Sequence, residues 1–210
     1  MGLIVLWIKL VSRGPAIFRQ VRIGRDGKPF TLYKFRSMHL HADTRRHTRH
    51  FSQLVESNSP MIKLDLLCDS RLIPGGCLLR AAGLDELPQL LNVLRGEMSL
   101  VGPRPCLPEE YGYFTRIQRV RFHALPGITG IWQTEGKGIS TFTEMNAMDA
   151  DYVRSSSLLT DLSIMWRTPC AIVGQLRMAW NRRRLAAAGK PAHRAAVGTQ
   201  VRAAATQRLG

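Results

Sequence analysis

Two short segments near the amino terminus mix apolar and polar residues, and the second alternates them from Tyr33 to Arg36. The segments cover residues 17–23 and 30–36, and Asp26-Gly27 lies between them. Such alternation is typical of half-buried strands, and Asp-Gly is a favoured hairpin turn. The pattern therefore predicts a β-hairpin. Lys34 and Arg36 alternate with Tyr33 and Phe35 in its second strand, and as a strand pattern alone they fit its solvated face.

The rest of the pattern predicts helices. We expect a short helix before Gly14-Pro15, a polar helix-and-loop region at 39–58, and helices at about 85–94, 108–122 and 141–154. Pro126-Gly127 predicts a type II turn. The apolar stretch at 158–180, interrupted by Pro169, places tryptophans and arginines beside an apolar face, as a helix in a lipid headgroup layer requires. The fold class is α+β, a mostly helical, membrane-associated domain with a small hairpin and interfacial amphipathic helices.

Two adjacent carboxylates, Asp85 and Glu86, stand at the predicted start of the central helix. Pro88 fits only a first turn, so the helix should begin within about three residues of it. At a helix entrance, neighbouring side chains can converge where free backbone N–H groups attract anions. An ionised aspartate can attack phosphorus once cations neutralise the phosphate. A structural interpretation stays open, in which Asp85 is an N-cap and the helix carries a buried leucine stripe.

Arginines near this pair are candidates for neutralising a phosphate: Arg80, Arg95 and Arg104. Arg104 lies between Pro103 and Pro105, so its backbone has little freedom and its side chain is oriented at low entropic cost. This suits a phosphate clamp, and it suits a structural salt bridge as well.

The formal net charge is +15 at pH 7. Each basic side chain near an anionic lipid leaflet contributes about 1 kcal/mol to binding, so we expect a membrane partner. Nucleic acid is the rival class, but the chain has no zinc-finger spacing, RNA-binding aromatic motif or helix-turn-helix, and we expect no nucleic-acid partner. The apolar run at 3–11 is too short to cross a bilayer, which needs about 20 residues, and a buried core helix remains its alternative.

Five segments stand in fixed order around the carboxylate pair: GPAIFRQVRIG (14–24), YKFRSM (33–38), LDELPQL (84–90), VGPRP (101–105) and PGITGIWQ (126–133). Together they resemble the bacterial sugar transferase family, whose members are polyprenyl-phosphate phosphoglycosyl transferases embedded in one membrane leaflet. The resemblance covers about residues 8–167. Several motifs in order are far more specific than any one of them.

The resemblance implies transfer of a sugar-1-phosphate from a UDP-sugar to polyprenyl (undecaprenyl) phosphate, through a covalent aspartyl-phosphosugar intermediate and with release of UMP. Asp85 would be the nucleophile and a Mg²⁺ ligand, with Glu86 its partner. Mg²⁺ prefers carboxylate and phosphate oxygens and lowers their repulsion. The phosphate-binding positions carried over are Arg80, Arg104, Lys34, Arg36 and Lys137. Lys137 stands where the family commonly has arginine, and it lacks arginine's bidentate fork.

The resemblance also implies an organisation and a place in the cell. Residues 1–13 would be the returning half of a re-entrant membrane helix, and residues 14–185 the catalytic domain. The composition of residues 186–210, rich in Ala, Gly and Arg, predicts a basic, disordered tail. We expect exopolysaccharide initiation at the cytoplasmic face of the bacterial inner membrane, in a chain able to form a homo-oligomer. The alternative is an inactive or regulatory homologue with an incomplete anchor. No motif specifies which sugar is moved.

Overall fold

The computed structural model describes residues 1–40, 42, 45–61, 71–136 and 139–187. The α+β prediction is confirmed. The elements in chain order are α1 (Gly2–Val11), β1 (Ile17–Ile23), a 3-10 turn (Arg25–Gly27), β2 (Pro29–Phe35), α2 (Arg45–Glu56), α3 (Gly76–Ala81), a 3-10 helix (Leu84–Gln89), α4 (Leu90–Leu94), β3 (Ser99–Val101), α5 (Pro108–Tyr111), another 3-10 helix (Gln118–His123), β4 (Gly127–Thr129), a π-helix (Trp132–Gly136), α6 (Phe142–Ser155) and α7 (Leu158–Ala187). Of the predicted tail, only the last residues of α7 lie within the described ranges.

The predicted hairpin is present. Strands β1 and β2 pair antiparallel, from Ile17 opposite Phe35 to Ile23 opposite Pro29. Asp26 and Gly27 both adopt left-handed backbone conformations, with φ of 57° and 73°. Asp-Gly is a favoured pair for such positions, so the local sequence signal is sufficient to form this turn.

A second, unpredicted sheet consists of β3 and β4, which are parallel, with Ser99 opposite Gly127 and Val101 opposite Thr129. The type II turn predicted at Pro126-Gly127 is wrong, because Gly127 begins β4 and is not among the left-handed residues. Glycine is needed here for a different reason. A Cβ on Gly127 would lie 2.1 Å from the backbone nitrogen of Gly102.

The helix predicted at 108–122 is also wrong, since α5 ends at Tyr111 and a 3-10 helix begins at Gln118. Thr115 and Gln118 form reciprocal backbone–side-chain hydrogen bonds, of 2.9 and 3.4 Å, that start the new turn. The break brings the rings of Phe114 and Phe122 to 5.3 Å, in an edge-to-face contact inside the core. By contrast, α6 begins at its predicted place, with a capping box between Thr141 and Glu144.

In the described part of the chain, buried apolar side chains form three clusters. The largest joins the end of β1, α2, the 3-10 helix Gln118–His123, the π-helix and α6, and the second packs α1 against β2 and α3. Ile8 of α1 is fully buried, whereas Leu3 and Leu10 on the same helix are 84% and 76% exposed. Helix α1 therefore contributes to the core with one face and presents leucines to the outside with the other.

Helix α7 is long and exposes apolar side chains along its length. It continues through Pro169, contrary to the predicted interruption, and the Thr168 hydroxyl donates to the Ile164 carbonyl in the turn before the proline. Trp166 is 85% exposed and Trp180 is 60% exposed. Within the described ranges, none of the helices has both the length and the apolar character needed to span a bilayer.

Candidate active site

The two adjacent carboxylates lie in the 3-10 helix that leads into α4. Gly83, with φ of 67°, is the N-cap, so the interpretation of Asp85 as an N-cap is wrong. The helix starts four residues before Pro88, slightly earlier than predicted, and the proline is accommodated within the 3-10 segment. The leucine stripe is not buried either, since Leu94 is 85% exposed. The side chain of Asp85, by contrast, is buried, with 5% of it exposed.

Two predicted cations meet the second carboxylate at a cleft. The Lys34 ammonium donates to Glu86 Oε1 at 2.9 Å, and Arg104 Nη1 lies 4.0 Å from the same oxygen. The cleft is lined by Arg22, Leu32, Lys34, Glu86, Gln89, Arg104, Pro105, Gly127, Ile128 and Gln133. Asp85 precedes Glu86 in the chain, and its charge acts on Lys34 as well. The structure thus brings together Glu86, Lys34 and Arg104 at the cleft, whereas the buried Asp85 is next to Glu86 in the chain and is not among the lining residues.

Burial and the neighbouring carboxylates shift the pKa of Lys34 in opposite directions. Burial lowers the pKa of Lys34, and the Arg104 guanidinium lowers it further, while Glu86 and Asp85 raise it. An anion entering the cleft would add a third raising influence. An anion there would offset the repulsion between the two cations, so the charges of this site are compatible with a phosphate ligand.

Two other predicted phosphate-binding arginines lie nearby in the chain but differ in their contacts. Arg80, on α3, donates to the Ser37 hydroxyl at 3.4 Å. The buried Arg36 guanidinium donates to the backbone carbonyls of Ser12 and Arg13, directly after α1. These bonds engage both terminal nitrogens of Arg36 and join the end of β2 to the end of α1. We therefore assign Arg36 a structural contact instead of the predicted phosphate contact.

Arg95 and Lys137 do not add to the described site. The Arg95 guanidinium lies 5.2 Å from the centre of the Tyr33 ring and donates to the Tyr33 hydroxyl at 2.8 Å. This pairing places Arg95 against the hairpin. Lys137 lies outside the described residues.

Arg22 was not predicted as a site residue, yet it lines the cleft. Burial and the neighbouring charge of Arg104 lower the pKa of Arg22 to about 10. Its side chain is on the same face of the hairpin as Lys34, since Lys34 pairs with Phe18 and every second residue of a strand shares a face. The alternation along β1 was therefore a signal that could have identified it.

Asn92 was also missed, and it joins α4, the helix that follows the carboxylate-bearing 3-10 helix, to the hairpin. This fully buried side chain donates to the Thr31 carbonyl at 2.7 Å and accepts from the Tyr33 backbone amide at 3.2 Å. It therefore occupies the β2 edge much as a neighbouring strand would. A single asparagine among Leu90, Leu91, Val93 and Leu94 was the only sequence signal for this role.

A magnesium ion at this cleft would need oxygen ligands from the protein and the substrate. Among the described residues, no group of three or more His, Cys, Asp or Glu side chains is arranged to hold a metal. Mg²⁺ is commonly bound by one or two carboxylates together with substrate phosphates. Asp85 and Glu86 beside an anion-attracting cleft fit such a shared arrangement.

One carboxylate and three cations line the cleft, and a second carboxylate adjoins the first in the chain, an arrangement suited to chemistry on phosphate esters. The chain belongs to the bacterial sugar transferase family, whose sequence profile matches residues 1–175.

Curated relatives give the same assignment. The chain is 41% identical over 174 residues to the UDP-glucose:undecaprenyl-phosphate glucose-1-phosphate transferase of Caulobacter vibrioides. The matched region covers 79% of this chain and 60% of that protein. It is 40% identical over 156 residues to the galactosyl transferase CpsE of Streptococcus agalactiae, covering 74% of this chain and 34% of that protein. The exopolysaccharide production protein ExoY of Rhizobium meliloti is 36% identical over 172 residues, or 81% and 75% of the two chains. The chain thus spans less than two thirds of the first two relatives.

Proposed function

We propose that this protein transfers a sugar-1-phosphate from a UDP-sugar to polyprenyl phosphate, as the initiating step of exopolysaccharide synthesis. The observation that carries the proposal is the meeting of Lys34 and Arg104 at Glu86, directly beside the buried Asp85. The Caulobacter relative supports the substrate classes, since its name specifies UDP-glucose and undecaprenyl phosphate.

The proposed reaction has two displacements at one phosphorus atom. A carboxylate oxygen of Asp85 attacks the phosphorus that bears the sugar, and the bond to the bridging oxygen breaks as UMP leaves with the electron pair. An oxygen of the polyprenyl phosphate then attacks the same phosphorus and releases the Asp85 carboxylate. Both steps join anionic groups, so cations at the cleft lower the barrier by neutralising charge.

Each neighbouring side chain has a role in this reaction. Glu86 holds the Lys34 ammonium at the cleft before substrate binds, and Arg104 approaches the same position from the loop 101–105. Arg80 is the further phosphate contact in the proposal. Asp85, with Glu86, would hold Mg²⁺. That ion supplies further neutralisation of the diphosphate when bound.

We place this reaction at the cytoplasmic face of the inner membrane. Exposed leucines on α1 and exposed tryptophans on α7 offer apolar contact, and the exposed Arg167 and Arg177 on α7 offer charge. A helix with this combination binds anionic headgroup layers. Trp166→Glu should weaken binding to vesicles of phosphatidylglycerol, with neutral phosphatidylcholine vesicles as the comparison. Absence of parental binding to the anionic vesicles would contradict the placement.

The proposed nucleophile is tested by UMP release. Asp85→Asn removes the charge with little change in size, so UMP release from UDP-sugars should fall to background. Asp151→Asn is the matched control, because the Asp151 carboxylate is exposed and pairs with Arg154 on the same turn of α6. Its rate should equal the parental rate. Turnover of Asp85→Asn at the parental rate would show that another group attacks the phosphate.

A further inference from the structure

The loop that carries Arg104 is fixed by hydrogen bonds to four consecutive carbonyls. Two donors are backbone amides, since Gly127 donates to Pro103 and Ile23 donates to Cys106, each at 2.9 Å. The other two are guanidinium groups. These bonds run from Arg121 to the Arg104 carbonyl at 2.8 Å and from Arg22 to the Pro105 carbonyl at 3.3 Å. Because prolines flank Arg104 and supply no N–H, the carbonyls are the groups through which this loop is held.

Arg121 is itself fixed from several directions. Its side chain is 2% exposed, and it donates to Asn146 Oδ1 at 2.9 Å and contacts Asp149 Oδ2 at 2.7 Å. Both partners lie on α6. The guanidinium carbon also lies 4.9 Å from the centre of the Phe114 ring. One rigid group therefore links α6 to the Arg104 backbone.

Burying the Arg121–Asp149 ion pair costs desolvation free energy, which the attraction between the two charges can fail to offset. Burial raises the pKa of Asp149, although the Arg121 charge opposes that shift. Replacing a buried ion pair by apolar groups is often neutral or stabilising, so the pair is weak evidence of a stability role. What apolar side chains could not supply is a donor directed at the Arg104 carbonyl.

We propose that Arg121 is a positioning residue that orients Arg104 toward the cleft. Arg121 is absent from the cleft lining, whereas Arg104 is part of it. The hydrogen bond to the Arg104 carbonyl fixes the backbone from which the Arg104 side chain extends. Less conformational entropy is therefore lost when the guanidinium binds a phosphate. The inference rests on the proposed function, and it adds a group that acts on the substrate only through Arg104.

A double-mutant cycle tests this role. Arg121→Lys keeps the charge but cannot bond Asn146, Asp149 and the Arg104 carbonyl with one planar fork. Because a displacement of about 1 Å can cost about 100-fold in rate, we expect kcat/KM for the UDP-sugar to fall about 10- to 100-fold. The same substitution at the exposed Arg116 should leave it unchanged. In an Arg104→Ala background, Arg121→Lys should change kcat/KM by less than about 2-fold.

The outcomes separate positioning from a purely structural role. An equal loss from Arg121→Lys in both backgrounds would overturn the inference while leaving the proposed function intact. A parental protein that releases no UMP would overturn the proposed function, and this inference with it. Thermal unfolding is measured for each variant. If Arg121→Lys does not fold, Asn146→Ala, which removes one of the Arg121 bonds, takes its place in the cycle with the same expected pattern.

Discussion

Replacing Asn92 by alanine should weaken the attachment of α4 to the hairpin and lower the stability of the fold. The fully buried Asn92 amide donates to the Thr31 carbonyl and to Glu97 Oε2, each at 2.7 Å, and its oxygen accepts from the Tyr33 amide at 3.2 Å. The bonds to Thr31 and Tyr33 fasten the edge of β2, one residue before Lys34. Alanine removes all three.

The expected loss follows from these contacts. Each bond contributes about 1 kcal/mol net, and backbone groups left half-buried without partners add to the cost, so the free energy of unfolding should fall by about 3–4 kcal/mol. This is a large part of the roughly 5–15 kcal/mol typical of folded proteins. Urea unfolding followed by circular dichroism should show a lower midpoint with an unchanged slope.

Two further variants make the test specific. Gln53→Ala, on the exposed face of α2, should shift the free energy of unfolding by less than about 0.5 kcal/mol. Asn92→Asp keeps the acceptor for Tyr33 but loses both donors and places a carboxylate against Glu97. It should be destabilising at neutral pH and recover partly on acidification. A parental urea midpoint for Asn92→Ala would show that the Asn92 hydrogen bonds do not stabilise the fold.

Two other predictions concern the frame of the site. Gly127→Ala should destabilise the fold by about 3 kcal/mol or more, because the new Cβ would overlap the Gly102 backbone, and thermal unfolding at or above the parental temperature would contradict this. Burial raises the pKa of Cys106 from 9.0 to about 12, so the folded state retains its thiol proton while the unfolded state loses it. That contribution to stability is complete below pH 9.0 and decreases by about 1.4 kcal/mol per pH unit above it. Denaturation of the parent and Cys106→Ala at about pH 8 and about pH 10 measures the difference, and parallel pH dependences would exclude it.

Local signals were sufficient for part of the fold. Asp26-Gly27 forms its turn through the local backbone preferences of the two residues. The Thr141 and Glu144 side chains cap α6 through contacts within the first turn of that helix. The β3–β4 pairing could not be predicted, because each strand has three residues and their contact depends on a close backbone approach between Gly102 and Gly127. Similarly, the helix predicted at 108–122 is broken by tertiary packing of aromatic rings.

The site shows the same division. The order of the motifs predicted that Lys34, Glu86 and Arg104 act together, and the structure brings their side chains to one cleft although Lys34 and Glu86 are 52 residues apart. The motif could not distinguish Lys34 from Arg36, since only the tertiary contact with the end of α1 separates them. Arg121 left no local pattern, because its polar partners Arg104, Asn146 and Asp149 lie 17 to 28 residues away along the chain.

The most direct test of the account is the intact mass of the protein after mixing with UDP-sugars and Mg²⁺ in the absence of lipid acceptor. We expect a mass increase of one hexose phosphate or one N-acetylhexosamine phosphate, present in Asp151→Asn and absent in Asp85→Asn. The identity of the added group would also establish the donor. UMP release without any mass increase, or the same increase in Asp85→Asn, would contradict covalent attack by Asp85.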